Sequence, residues 1–148
     1  MEMLRCLQGW IGIVGLMAFG NTISCFYNHQ FLADKLYTAA PDEVNGLSAR
    51  LFGVWTMLAA ILRLYCAFDI HNKSIYNLTL VSFLLALIHF VLEITVYKTA
   101  SLTVGVLAPL VVSSASIAWM LTGYYYLNKP SEVENEDEMG MLKKRKKK

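Results

Sequence analysis

Four stretches of predominantly apolar residues, at about 7–26, 47–68, 75–97 and 102–127, occupy most of this 148-residue chain. Each reaches the roughly 20 residues that an α-helix needs to cross a hydrocarbon core about 30 Å thick. With 56% hydrophobic residues and a mean hydropathy of +0.45, the chain is too apolar for an ordinary soluble domain of its size. The pattern predicts an all-α polytopic membrane protein: one domain of four transmembrane helices over 1–127, then a disordered tail over 128–148. The links between spans are short, the longest about 20 residues, so no separate catalytic domain fits and the chain acts in or at the bilayer.

Charge gives an expected orientation. Four spans leave both termini on one side, and that side collects Arg5, Lys73, Lys129 and the basic run Lys143–Lys148, against Lys35 and Lys98 on the other. The positive-inside bias then places both termini in the cytoplasm. Within the terminal run, Lys144 and Lys146 stand fifth and third from the end, the form of a dilysine endoplasmic-reticulum retrieval signal; a solubilising or lipid-binding basic tail is the other reading. The acidic run Glu132–Glu138 before it cannot bury enough apolar surface to fold alone.

Several chemistries have no foothold. Cys6, Cys25 and Cys66 show no C-x-x-C spacing, which argues against a zinc site or a disulfide framework. There is no glycine-rich phosphate loop, no H-E-x-x-H and no nucleophilic triad, so no cofactor is expected, and nothing resembles a nucleic-acid binder. Ala18-Phe19-Gly20 has the small-x-small form of a signal cleavage site, but the apolar run continues through Ile23 and Phe26 and the n-region has a single base offset by Glu2.

The spans themselves carry two features. Small residues recur, as Gly9, Gly12, Gly15 and Gly20 in the first, Ala49, Gly53, Ala59 and Ala60 in the second, and Ser113, Ser114, Ser116 and Ala118 in the fourth. Such positions let helix backbones approach closely. Charge also lies inside the second span (Arg50, Arg63) and the third (His89, Glu93), where insertion costs about 2.5 to 3.5 kcal/mol per charged group. The short second link makes spans two and three antiparallel neighbours, and Arg50 then lies at the depth of Glu93. An Arg50–Glu93 ion pair is therefore expected, with His89 joining it from one turn away. That pairing predicts similar losses of folded protein for Glu93→Gln and Arg50→Gln. A catalytic alternative stays open, in which His89 and Glu93 handle protons for an intramembrane isomerase. Arg63, about 7 or 8 Å from its span's edge, is expected to snorkel to lipid headgroups or meet Asn77.

Three segments together carry a family resemblance: Val44-Asn-Gly-Leu-Ser-Ala-Arg-Leu-Phe-Gly-Val-Trp-Thr56, Asp69-Ile-His-Asn-Lys73, and Phe83-Leu-Leu-Ala-Leu-Ile-His-Phe-Val-Leu-Glu93. Gly20-Asn21-Thr22, Leu36-Tyr37-Thr38 and Gly105-Val-Leu-Ala-Pro-Leu110 extend it. These closely resemble the ergosterol biosynthetic protein 28 family, over nearly the whole chain up to the tail. The resemblance implies a four-span endoplasmic-reticulum protein with no catalytic activity of its own. It would tether the sterol C-4 methyl oxidase, the C-3 dehydrogenase/C-4 decarboxylase and the 3-keto sterol reductase. No catalytic residue carries over. Asp69, His71, Asn72 and Lys73, in the exposed link, become candidate partner contacts, while Arg50, His89 and Glu93 remain candidate structural residues. Membrane lipid is a further partner, and a homodimer is compatible with the small-residue faces.

Overall fold

The computed structural model describes residues 2–127. The chain forms α1 (Glu2–Tyr27), α2 (Gln30–Lys35), a 3-10 turn (Pro41–Glu43), α3 (Gly46–Phe68), α4 (Lys73–Thr95) and α5 (Val104–Leu127). Four of the five α-helices, all but the short α2, are long and apolar enough to cross a membrane. The tail, with Lys144 and Lys146, lies outside the described residues.

Local chemistry explains the boundaries. Asn45-Gly46, a turn signal in the sequence, opens α3: the Asn45 side chain accepts from the Leu47 and Ser48 amides, and Ser48 Oγ returns the contact to the Asn45 amide, a capping box. Asn72 caps α4 through the Ile75 amide. The third span ends at Thr95, before the expected 97, because Lys98 adopts φ 57, a left-handed conformation no helix continues through. The first helix begins earlier than its apolar core, at Glu2, whose carboxylate suits the positive end of the helix dipole. It runs unbroken through Ala18-Phe19-Gly20, and Thr22 and Cys25 beyond are buried.

The spans alternate in direction and form a ring in the order α1, α3, α4, α5. The helix pair with the most extensive contact is α1–α3, then α4–α5; α3–α4 and α1–α5 touch less. We call the side with the start of α1, the 69–72 link and the end of α5 the terminal face, and its opposite the far face. One core cluster, including Leu7, Ile11, Cys66, Tyr76 and Met120, sits toward the terminal face. It is tied by hydrogen bonds from Trp10 Nε1 to Ser116 Oγ (2.9 Å) and from Tyr76 Oη to the Met120 carbonyl (2.6 Å). A second, including Cys25, Leu32, Ala49, Phe90 and Val106, sits toward the far face, under α2 and its loop. Gly105 makes that lid possible: a Cβ there would collide with the Lys35 main-chain oxygen. Outward, Leu16, Leu51, Leu58, Leu85 and Leu121 are exposed. In water such a surface would drive association; in hydrocarbon it is simply solvated.

Candidate functional site

Arg50, Arg63, His89 and Glu93, the four residues singled out inside the spans, do three different things. Arg50 is exposed, with its guanidinium folded back over Gly46 one turn earlier. The expected Arg50–Glu93 pair does not form: among the described residues the only carboxylate within 4.0 Å of a basic side chain's nitrogen is that of Glu93, with Oε1 at 3.8 Å from His89 Nδ1. The depth argument holds, since Phe52 and Trp55 pack on His89. The face does not. Two residues turn an α-helix by about 200°, so with Phe52 toward α4, Arg50 points outward.

Glu93 finds its partners in the following link instead. Its carboxylate accepts a hydrogen bond from Thr99 Oγ1, and its main-chain oxygen accepts from the Thr99 amide at 3.0 Å. The left-handed Lys98 makes that reversal of the chain. Thr99 in turn accepts the Ala39 amide at 3.1 Å, which draws the 36–45 loop onto the end of α4. From that loop Tyr37 Oη shares a 2.8 Å hydrogen bond with His89 Nε2. Burial, with the Glu93 carboxylate adding to it, pushes the Tyr37 phenol up, so it keeps its proton. His89 is further enclosed by Phe52, Trp55 and Phe90, with ring centroids 5.1 to 6.4 Å away.

The chain Tyr37–His89–Glu93–Thr99 forms one wall of a cavity of about 580 Å³ at the far face. Leu51, Phe52, Trp55 and Leu85 supply its apolar walls and Val44 and Ser48 lie near the α3 start. Its size falls in the range of small-molecule sites. Chemically the wall offers hydrogen bonds at the margin of an apolar space. Both Glu93 oxygens, however, already face protein groups.

Arg63 departs most from expectation. It neither snorkels nor meets Asn77: it is 7% exposed, and its guanidinium stacks over Phe83 with Cζ 4.2 Å from the ring centroid. The candidate contact residues Asp69, His71, Asn72 and Lys73 are all exposed on the terminal face, while Ile70 between them is buried and anchors the link. Asn72 is also the α4 cap. Among the described residues no cluster of three or more His, Cys, Asp or Glu is placed to hold a metal. Reasoning from sequence missed Thr99 entirely and singled out Tyr37 only as part of a motif. A hydroxyl six residues beyond a membrane glutamate, across a short link, was the available signal.

A family model described as "Erg28 like protein" matches residues 7–118. The ergosterol biosynthetic protein 28 homolog of Homo sapiens is 54% identical over 124 residues, covering 84% of this chain and 89% of the relative. Ergosterol biosynthetic protein 28 of Saccharomyces cerevisiae is 34% identical over 114 residues, 77% of each chain. That of Arabidopsis thaliana is 33% identical over 131 residues, 86% of this chain and 96% of the relative. No solved structure matches.

Proposed function

This chain belongs to the Erg28 like protein family, whose members' names place them in sterol biosynthesis, and from that premise we propose that it is a non-catalytic membrane scaffold. It holds the sterol C-4 methyl oxidase, the C-3 dehydrogenase/C-4 decarboxylase and the 3-keto sterol reductase side by side. Tethering raises the effective concentration of each enzyme for the next intermediate to the order of mM without any new chemistry. The observation that carries this reading is that the His89–Glu93 pair is occupied from within, by Tyr37 and Thr99, and so clasps two loops to α4. These contacts account for both residues within the fold, with no substrate needed to explain them. The same proposal sets the protein in the endoplasmic-reticulum membrane with both termini cytoplasmic, as the distribution of Lys and Arg favours. The exposed Asp69 to Lys73 link then faces the cytoplasm, where soluble portions of partner enzymes can reach it.

The competing reading, an isomerase using His89 and Glu93, draws on the fact that both line the far-face cavity. Deleting the gene and profiling sterols separates the two. Scaffolding predicts accumulation of 4-methyl or 4-carboxy sterols while each of the three enzymes, assayed alone, keeps its activity. Loss of a single double-bond shift would establish the isomerase instead.

A further inference from the structure

A second cavity, about 340 Å³, lies inside the ring of spans; Phe52 and Trp55 line both cavities, but none of Tyr37, His89, Glu93 and Thr99 lines this one. All four spans and α2 line it, mostly with apolar groups such as Val14, Phe83, Ala86 and Val112. Two charged residues line it, the exposed Lys35 of α2 and the buried Arg63 of α3. The Arg63 Cβ lies 3.2 Å from where a Cβ on Gly15 would be, so its stem is pinned in the α1–α3 seam. Its Nε is buried with no hydrogen-bond partner, and no carboxylate of the described residues pairs with it. Phe83 stacks against the face of the guanidinium. A ring contact of that kind compensates part of the charge but leaves the in-plane N–H donors unmet. Buried charges in an apolar site otherwise come with a counter-charge.

We propose that this cavity binds a membrane-borne carboxylic acid, whose apolar body fills the space between the helices and whose carboxylate pairs with Arg63. The planar guanidinium fork matches a carboxylate through two parallel hydrogen bonds. A bulky hydrated headgroup would not fit, because the volume is small and, apart from Lys35, Asn21, Thr56 and Ser113, the rest of the lining is apolar. Access is lateral. On α1, Trp10 packs on α5 near the terminal face, whereas Met17 and Asn21, on the same stripe further along, are exposed at the cavity's margin with Ala108 of α5 opposite. The two helices therefore part toward the far face and leave a slot open to lipid.

The acid has two chemical sources, a fatty acid or a sterol bearing a carboxyl group, and the test carries both. Full-length protein purified in neutral detergent is titrated with oleate and with 3β-hydroxy-5-cholenoic acid, each against its methyl ester, following the thermal unfolding midpoint and quenching of tryptophan fluorescence. The expected result is that at least one acid binds roughly tenfold or more tightly than its ester, the ratio a charge-assisted hydrogen bond supplies, and whichever acid does so identifies the source. Arg63→Gln abolishes that preference and Arg63→Lys keeps part of it. If neither acid is preferred over its ester by the wild-type protein, the inference fails, and that comparison stands even if Arg63→Gln does not fold. A preference that survives intact in a folded Arg63→Gln protein overturns it equally. The scaffold reading is untouched by either result, because sterol profiling decides it separately.

Discussion

The two interfaces of α3 are built on opposite plans. Toward α1 it presents small residues, and the two helices close until Gly12 faces Ala67, Gly15 faces Leu64 and Gly53 faces the Phe26 ring, in constant antiparallel register. Thr22 and Thr56 complete the seam with a 3.0 Å hydroxyl contact. Toward α4, its neighbour across a link of only four residues, it presents Phe52, Trp55 and Arg63 instead, and the helices stand apart around two cavities. Chain proximity thus set the order of the helices, whereas side-chain size set how close they come. In hydrocarbon, where burying apolar surface gains nothing, close backbone packing is what holds helices together. The α1–α3 seam is then the structural spine, and the α3–α4 side is where space and polar groups are kept.

The sharpest way to break that contrast is to enlarge the seam. A side chain at Gly15 would start 3.1 Å from Leu64, and one at Gly53 would start 2.8 Å from the Phe26 ring. Gly15→Leu and Gly53→Leu should each destabilise by about 3 kcal/mol or more, the upper end for overpacking, seen as a fall in the unfolding midpoint in detergent or loss of folded protein. Ala86→Val on the cavity side adds volume where there is room. It should change stability by less than about 1 kcal/mol. Equal losses on the two sides would mean that the seam is no more tightly specified than the hairpin.

The next effects lie in the clasp. Thr99→Val removes the hydroxyl that Glu93 accepts and leaves a carboxylate short of a donor, which should cost about 1 to 3 kcal/mol. Tyr37→Phe deletes only the hydrogen bond to His89, a loss of roughly 1 kcal/mol, with the aromatic packing on Phe52 retained. Both should loosen the 36–45 and 96–103 loops, which hydrogen exchange would register as faster exchange of the Ala39 and Thr99 amides. Unchanged exchange in either variant would remove the clasp from the account of how these loops are held.

Legibility followed range. The four spans could be read because bilayer thickness imposes a length on each of them, and the depth register of α3 against α4 because four residues of link allow no other. The glycines of α1 signalled close approach, though not which helix would fill it. What escaped was rotational. Depth comes from residue number alone, but the face a residue presents needs the position of every neighbouring helix, and Arg50 and Arg63 were each misjudged on that account. Arg63 looked free to reach the membrane edge until Gly15 brought α1 against its stem. Thr99 and Tyr37 escaped because the loops that carry them fold only against α4, through contacts 6 and 52 residues apart in sequence.

The smallest predicted effect discriminates best between the pairing read from sequence and the one in the structure. Had Arg50 and Glu93 formed a buried pair, Arg50→Gln would strand a carboxylate and cost about 3 to 5 kcal/mol. With Arg50 exposed and folded over Gly46 near the start of α3, the same change removes a side chain that touches no carboxylate among the described residues. Its effect should stay within about 0.5 kcal/mol, as for other surface substitutions. Glu93→Gln should cost more than Arg50→Gln, because a Gln side chain in that place no longer offers a charged acceptor to Thr99. A double-mutant cycle between the two positions should return a coupling energy near zero. A coupling above about 1 kcal/mol would mean that the two side chains interact in the membrane after all, and that the outward face of α3 is closer to α4 than its rotation allows.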